Sequence, residues 1–95
     1  MNQLFKDICK AHADINSSIQ RTQFSESITL SELLSCKVYL KFENHQFTGS
    51  FKERGALNKI LSMSSTEKER GVIAASAGNH AQGLAYHATR HGIRS

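Results

Sequence analysis

The sequence predicts an α/β fold, in which a partial parallel sheet is flanked by helices. Strand-like apolar patterns occur at residues 38–42 and 72–75, and helical spacing follows each of them. Such alternation implies parallel strands joined by right-handed crossovers, and a parallel sheet needs helices on both faces. Two or three strands cannot complete that design. We therefore expect residues 1–95 to be the N-terminal part of a larger α/β protein.

The region before the first motif is predicted to be mostly helix and loop. Apolar residues at helical spacing indicate a helix over 4–15. Residues 20–27 are polar and are predicted to form a loop, and Ser31 is a candidate N-cap for a short helical turn over 32–34. The alternation at 38–42, with its β-favouring residues, is typical of a strand.

Two longer helices are predicted after the strand patterns. The first follows Ser50, a favourable N-cap residue, and runs to about Met63. Residues 72–75 read as a buried strand, and the last helix covers 79–91, with Gly92 well placed to end it. Each motif described below therefore stands where a helix begins.

Composition argues against two classes of partner. The chain is 39% hydrophobic and 21% charged, and no apolar run is long enough to span a bilayer, so no membrane association is expected. The formal net charge is only +4, with basic residues interspersed among acids as in 67–70, so no nucleic-acid binding is expected. Cys9 and Cys36 lack ligand-like spacing, which favours reduced thiols in a cytoplasmic protein.

The first motif is the polar turn at 48–56, which delivers Lys52 to the start of a helix. Peptide dipoles at that position disfavour an ammonium group, and partial burial would act in the same direction. Both effects favour the neutral amine that reacts with an aldehyde. Phe51 could belong to the core or could shield a flat ring by stacking. A solvated surface lysine is the alternative interpretation of Lys52.

The second motif is the small-residue loop at 76–80, between a strand and a helix. Exposed backbone N–H groups at such a position bind a carboxylate or a phosphate. Gly78 permits close approach to the backbone, and Asn79 offers both a donor and an acceptor. A simple turn capped by Asn79 is the alternative. A nucleotide P-loop is excluded because Leu84 stands where its lysine must be.

Three histidines share one stripe of the last helix. His87 and His91 have the i, i+4 spacing of a zinc-ligand pair, but no acidic or cysteine partner lies nearby. We therefore expect no metal site and interpret His80, His87 and His91 as part of a partly exposed helix face.

The motifs resemble those of a known enzyme family. Lys-Phe-Glu-Asn at 41–44, Thr-Gly-Ser-Phe-Lys at 48–52, Arg-Gly-Ala at 54–56 and Ser-Ala-Gly-Asn-His-Ala-Gln-Gly at 76–83 are similar to those of the threonine dehydratases, also called threonine ammonia-lyases. These are fold type II, tryptophan synthase β-like enzymes that depend on pyridoxal 5'-phosphate and are related to serine racemase. The resemblance is strong over 38–92.

The resemblance implies specific roles. Lys52 would be the Schiff-base lysine and the base that moves the α-proton. Phe51 would pack against the cofactor ring, and Asn79 would hydrogen-bond to the ring 3-hydroxyl. The loop that grips the substrate carboxylate would comprise Ser76, Ala77, Gly78, Asn79 and His80.

The activity implied for the full-length protein is deamination of L-threonine, and of L-serine, to a 2-oxo acid and ammonia by α,β-elimination. A cytoplasmic homo-oligomer is expected, with a role in isoleucine biosynthesis or in catabolism. Serine racemase and hydroxyaspartate ammonia-lyase activities remain alternatives, as does a truncated, non-catalytic binding module. Residues 1–95 would be the incomplete N-terminal portion of the catalytic domain and inactive alone.

The chain departs from the family pattern at several points. Glu53 stands where a small or apolar residue is usual, and Gln23 lies where a Thr-Pro-Leu type sequence is common. The glycine-rich phosphate loop and the partner of the pyridine nitrogen would lie beyond residue 95. The resemblance therefore covers the lysine and the carboxylate loop but not a complete cofactor site.

Overall fold

Five α-helices and one two-stranded sheet make up the computed structural model, which describes residues 1–95. In chain order the elements are α1 (Gln3–Ile15), β1 (Phe24–Glu26), α2 (Ile28–Leu34), β2 (Tyr39–Lys41), a 3-10 helix (Glu43–His45), α3 (Lys52–Ser62), α4 (Ser65–Arg70) and α5 (Asn79–Arg90).

The sheet pairs β1 with β2 in antiparallel register, with Phe24 opposite Lys41 and Glu26 opposite Tyr39. The prediction of a loop throughout 20–27 was therefore wrong at 24–26. Stacking of the Phe24 and Tyr39 rings, whose centroids are 5.6 Å apart, supports the pairing across the strands. A three-residue strand in a polar segment depends on such a distant partner, which local patterning does not reveal.

The segment 72–75 does not form the predicted buried strand. Its one ladder-like contact is the Val72 N–H, which donates to the carbonyl of Arg94 at 2.8 Å, and the Ile73 side chain is 96% exposed. A strand forms only where neighbouring strands accept its hydrogen bonds. The predicted parallel strand pair is therefore not formed by residues 1–95, whereas the predicted helices on either side of this segment are present.

Helix α2 begins earlier than the sequence indicated. Ser27 is its N-cap, and the Ser27 hydroxyl accepts a hydrogen bond from the N–H of Leu30 at 3.3 Å. Ser31, the predicted cap, lies inside the helix, and its hydroxyl accepts from the N–H of Val38 at 2.9 Å. Ser31 therefore connects α2 to the approach of β2.

The core lies where α3 packs against α5. Its buried apolar side chains are Ala56, Ile60, Leu84, Ala88 and Ile93. The two helices approach closely at Gly83, where an added Cβ would lie 3.0 Å from the Cα of Glu53. The helices that carry the two sequence motifs are thus the two that form the core.

Candidate functional site

Lys52 is the first residue of α3, as the sequence predicted. The preceding turn requires Gly49, whose φ of +73° lies in the left-handed region. The cap position is Phe51 rather than the predicted Ser50. Ser50 is nevertheless buried, and its hydroxyl accepts from the N–H of Lys52 at 3.3 Å. The turn is therefore held by its own side chain while Lys52 starts the helix.

The Lys52 side chain is exposed, so the expectation of partial burial is wrong within this chain. Within residues 1–95 no segment covers the Lys52 side chain itself, although α5 packs against the neighbouring Glu53. Phe51 is 60% exposed, which excludes a core role for it here, and its ring centroid lies 5.3 Å from Lys52 Nζ. A primary amine and an aromatic face thus lie together on an open surface.

The loop at 76–80 leads into helix α5, and several of its backbone N–H groups have no hydrogen-bond partner. Gly78 occupies the N-cap position and lacks a side chain, and its N–H donates to the Ser76 hydroxyl at 3.2 Å. Asn79 is the first helical residue and makes no capping bond, so the alternative of a turn capped by Asn79 is wrong. The N–H groups of Asn79, His80 and Ala81 have no backbone acceptor. These amides and the Asn79 side chain are free to bind a ligand.

The two motifs are brought together by the contact between Gly83 and Glu53. Glu53 follows Lys52 directly, and Gly83 lies four residues after Asn79, which is about 6 Å along a helix axis. The lysine-bearing turn therefore lies about one helical turn from the start of α5. An amine and an anion-binding loop share one region of the surface.

A buried pair of ionisable side chains, Glu53 and His87, lies between α3 and α5 beneath this surface. His87 Nε2 lies 2.8 Å from Glu53 Oε2, and both side chains are fully buried. Glu53 Oε1 also accepts from the N–H of Thr48 at 3.2 Å. Burial lowers the pKa of His87, and its Nδ1 has no hydrogen-bond partner. His87 is thus not on a partly exposed face, as the sequence suggested, whereas His80 and His91 are exposed.

A second polar cluster links the 41–44 and 54–56 motifs. Arg54 donates twice to the Glu43 carboxylate, from Nε at 2.6 Å and from Nη2 at 2.9 Å. The Thr22 hydroxyl donates to the same carboxylate at 2.6 Å. Chiefly through the Arg54 bond, the pKa of Glu43 is lowered to about 2. The cluster fixes the first turns of α3 against the end of β2.

We expect the Glu43 cluster to stabilise the fold in a pH-dependent way. Because the pKa of Glu43 is about 2 rather than the ordinary 4.5, its contribution is complete above pH 4.5 and is lost as the pH falls towards 2. Because the Glu43 side chain is only 15% exposed, we expect its ionised form to add roughly 2 kcal/mol to the free energy of unfolding at neutral pH. Thermal unfolding of the complete protein and its Glu43→Gln variant should therefore differ at pH 7 and converge in acid.

Glu32→Gln, at an exposed position of α2, serves as the control and should match the parent throughout. A gap between parent and Glu43→Gln that does not narrow below pH 4.5 would contradict this account of the cluster.

An exposed amine, an exposed ring and unpaired amides define a class of protein: one that holds a carbonyl compound on a lysine beside an anion-binding loop. The chain belongs to the pyridoxal-phosphate dependent enzyme family, which it matches over residues 15–95. Pyridoxal phosphate is thus the cofactor of its family, and the predicted fold type II class and family resemblance are confirmed.

Individual relatives agree with that assignment. The chain is 51% identical over 88 residues to L-threonine ammonia-lyase of Thermotoga maritima, covering 93% of this chain and 22% of the relative. It is 53% identical over 88 residues to a catabolic L-threonine dehydratase of Staphylococcus aureus, covering 92% and 25%. A solved serine racemase of Dictyostelium discoideum superposes with a TM-score of 0.87 at 42% identity, covering 94% and 29%.

The chain spans about a quarter of the length of these curated relatives. Among its helices, none combines the length and the apolar character needed to cross a membrane.

The sequence does not reveal that Glu53 and His87 form a buried pair behind the candidate site. In the sequence Glu53 stands out only as a departure from the family pattern, and His87 only as one of three histidines on a helix. They lie 34 residues apart, and no short motif joins them. The one indication in the sequence is that Glu53 and His87 each occupy a position on the otherwise apolar face of a helix.

Proposed function

We propose that residues 1–95 form the part of a pyridoxal phosphate-dependent ammonia-lyase that carries the reactive lysine and the carboxylate loop. The complete enzyme would convert L-threonine, and L-serine, to a 2-oxo acid and ammonia. The observation that carries the proposal is the exposed Lys52 at the start of α3, beside the point where Glu53 meets Gly83, four residues after the first of the unpaired amides of α5. Two relatives that are 51% and 53% identical bear this activity in their names.

The residues present fit the cofactor. The Lys52 amine is accessible to an aldehyde, the Phe51 ring offers an apolar face, and the unbonded Asn79 side chain can donate to a ring hydroxyl. Bound pyridoxal phosphate supplies an electron-accepting ring that stabilises negative charge at the substrate α-carbon. Lys52 would hold the cofactor covalently and then move the α-proton.

The substrate carboxylate would bind to the loop at 76–80. Its amides point away from the body of α5, and the helix dipole favours an anion there. With the carboxylate held, loss of the α-proton and of the β-hydroxyl group yields the 2-oxo acid once water has replaced the nitrogen. For L-threonine the products are 2-oxobutanoate and ammonia.

Borohydride reduction of the complete holoenzyme, followed by peptide mapping, tests the assignment of the lysine. By the complete enzyme we mean a full-length protein that includes residues 1–95. A chimera in which residues 1–95 replace the matching segment of the Staphylococcus aureus relative would serve the same purpose. We expect the cofactor label on Lys52. A label on another lysine, or no label in an active holoenzyme, would contradict the proposal.

We expect Asn79→Ala to act on catalysis more than on folding. The side chain makes no capping bond, so its loss removes little helix stability. A hydrogen bond to a charged ring oxygen is worth about 1.5–3 kcal/mol, which corresponds to a roughly 10- to 100-fold lower turnover. The absorbance of the bound cofactor and the rate of 2-oxobutanoate release should both change.

Gln82→Ala, at an exposed position one turn further along α5, is the matched control and should leave both measurements unchanged. If Asn79→Ala lowers the melting temperature while spectrum and turnover stay parental, Asn79 has only a structural role.

Serine racemisation is a second candidate, favoured by the TM-score of 0.87 to the Dictyostelium discoideum serine racemase. Both reactions would use the same lysine and begin with loss of the α-proton. Incubation of the complete enzyme with L-serine distinguishes them, because a racemase accumulates D-serine whereas a lyase accumulates pyruvate and ammonia.

A further inference from the structure

The Glu53 carboxylate joins three segments of the chain. It lies in the first turn of α3, accepts from the Thr48 N–H of the preceding loop at 3.2 Å, and meets His87 of α5 at 2.8 Å. Neither Glu53 nor His87 has any exposed side-chain surface. Glu53 is also the immediate neighbour of Lys52, so any rotation of α3 that strains these bonds moves the lysine.

Buried polar contacts restrict helix position more tightly than apolar contacts do. An apolar side chain tolerates sliding and rotation, whereas a hydrogen bond weakens steeply when its angle changes. Breaking a buried pair also leaves an unpaired group, which is strongly unfavourable. At the same point the Gly83 contact leaves no room for α5 to move towards α3. The pair and the glycine together define both the rotation and the spacing of the two helices.

We propose that Glu53 and His87 are positioning residues, which fix the rotation of α3 against α5 and thereby place the Lys52 amine relative to the amides of the 76–80 loop. This inference rests on the proposed function. The two residues touch neither cofactor nor substrate and act through Lys52 and Asn79. An apolar pair at these positions would keep the core packed but release the rotational constraint.

The decisive variant is the double change Glu53→Leu with His87→Leu in the complete enzyme. It leaves no buried charge unpaired, and only the Thr48 N–H loses its acceptor, so the melting temperature should fall by only a few degrees. We expect a roughly 10- to 100-fold lower kcat/KM, because misplacement of a reacting group by about 1 Å has an effect of this size. The rate at which added cofactor becomes trappable by borohydride on Lys52 should fall similarly. Glu53→Gln can still accept from the Thr48 N–H and can donate from its amide to His87 Nε2 when the His87 proton moves to Nδ1, so it should retain most of each rate.

Glu69→Gln on the exposed surface of α4 is the control and should behave as the parent. If the double variant fails to fold, Glu53→Asp tests the inference instead, since it keeps the carboxylate charge but its side chain is one methylene group too short to reach His87. Slower cofactor attachment by either variant supports the inference, and parental kinetics in the folded variant overturn it. Absence of the Lys52 label from the parent itself would instead overturn the proposed function, so the two failures are distinguishable.

Discussion

Replacing Lys52 with alanine is expected to abolish covalent attachment of the cofactor and to lower the turnover of the complete enzyme roughly 10³-fold or more. Lys52 offers an accessible amine at the start of α3, and under the proposed function it has two tasks, holding the cofactor and moving the α-proton. Both tasks are lost at once. The measurements are the absorbance of the bound cofactor and the release of 2-oxobutanoate from L-threonine.

The matched control is Lys59→Ala, another exposed lysine on the same helix. It should retain the parental spectrum and rate. If Lys52→Ala keeps a borohydride-trappable cofactor and substantial turnover, another lysine performs the chemistry and the assignment fails.

The second large effect concerns residues 1–95 as an isolated chain, which we expect to be inactive and poorly folded. Only 13 of its 95 residues are buried. Leu4, Ile8, Phe24 and Ile73 are among the large apolar side chains that remain exposed. Each unburied side chain of this kind forgoes roughly 1.5–3 kcal/mol, which is large against a typical total stability of about 5–15 kcal/mol.

Thermal unfolding of the isolated chain, followed by circular dichroism, should therefore lack a cooperative transition, and added cofactor should give no turnover of L-threonine. The complete enzyme, measured in parallel, supplies the control. A sharp transition together with measurable 2-oxobutanoate release from the 95-residue chain would refute this prediction.

The helices that carry the site could be predicted from the sequence because their signals are local. Helical spacing of apolar residues identified α3 and α5, and Gly49 and Gly78 marked the turns that precede them. The placement of Lys52 and Asn79 as first helical residues followed directly.

The features that depend on distant partners could not be predicted in this way. Strand β1 exists through its pairing with β2, and segment 72–75 lacks the neighbours that would make it a strand. The Glu53–His87 contact joins residues 34 positions apart through the packing of two helices. Burial of Lys52 was also expected from its chemistry, yet burial depends on covering segments, and residues 1–95 supply none at that point.

Gly83 tolerates substitution far less than the apolar core positions around it do. Any larger residue there would force the backbones of α3 and α5 apart by a few tenths of an ångström, since the nearest atoms are main-chain atoms of Glu53. Changes among the side chains of the buried cluster, such as Ile60 and Leu84, alter stability first and leave that spacing intact. Sequence drift can therefore remodel the core of this chain gradually, while the absence of a side chain at Gly83 keeps the distance between the Lys52 turn and the 76–80 loop constant.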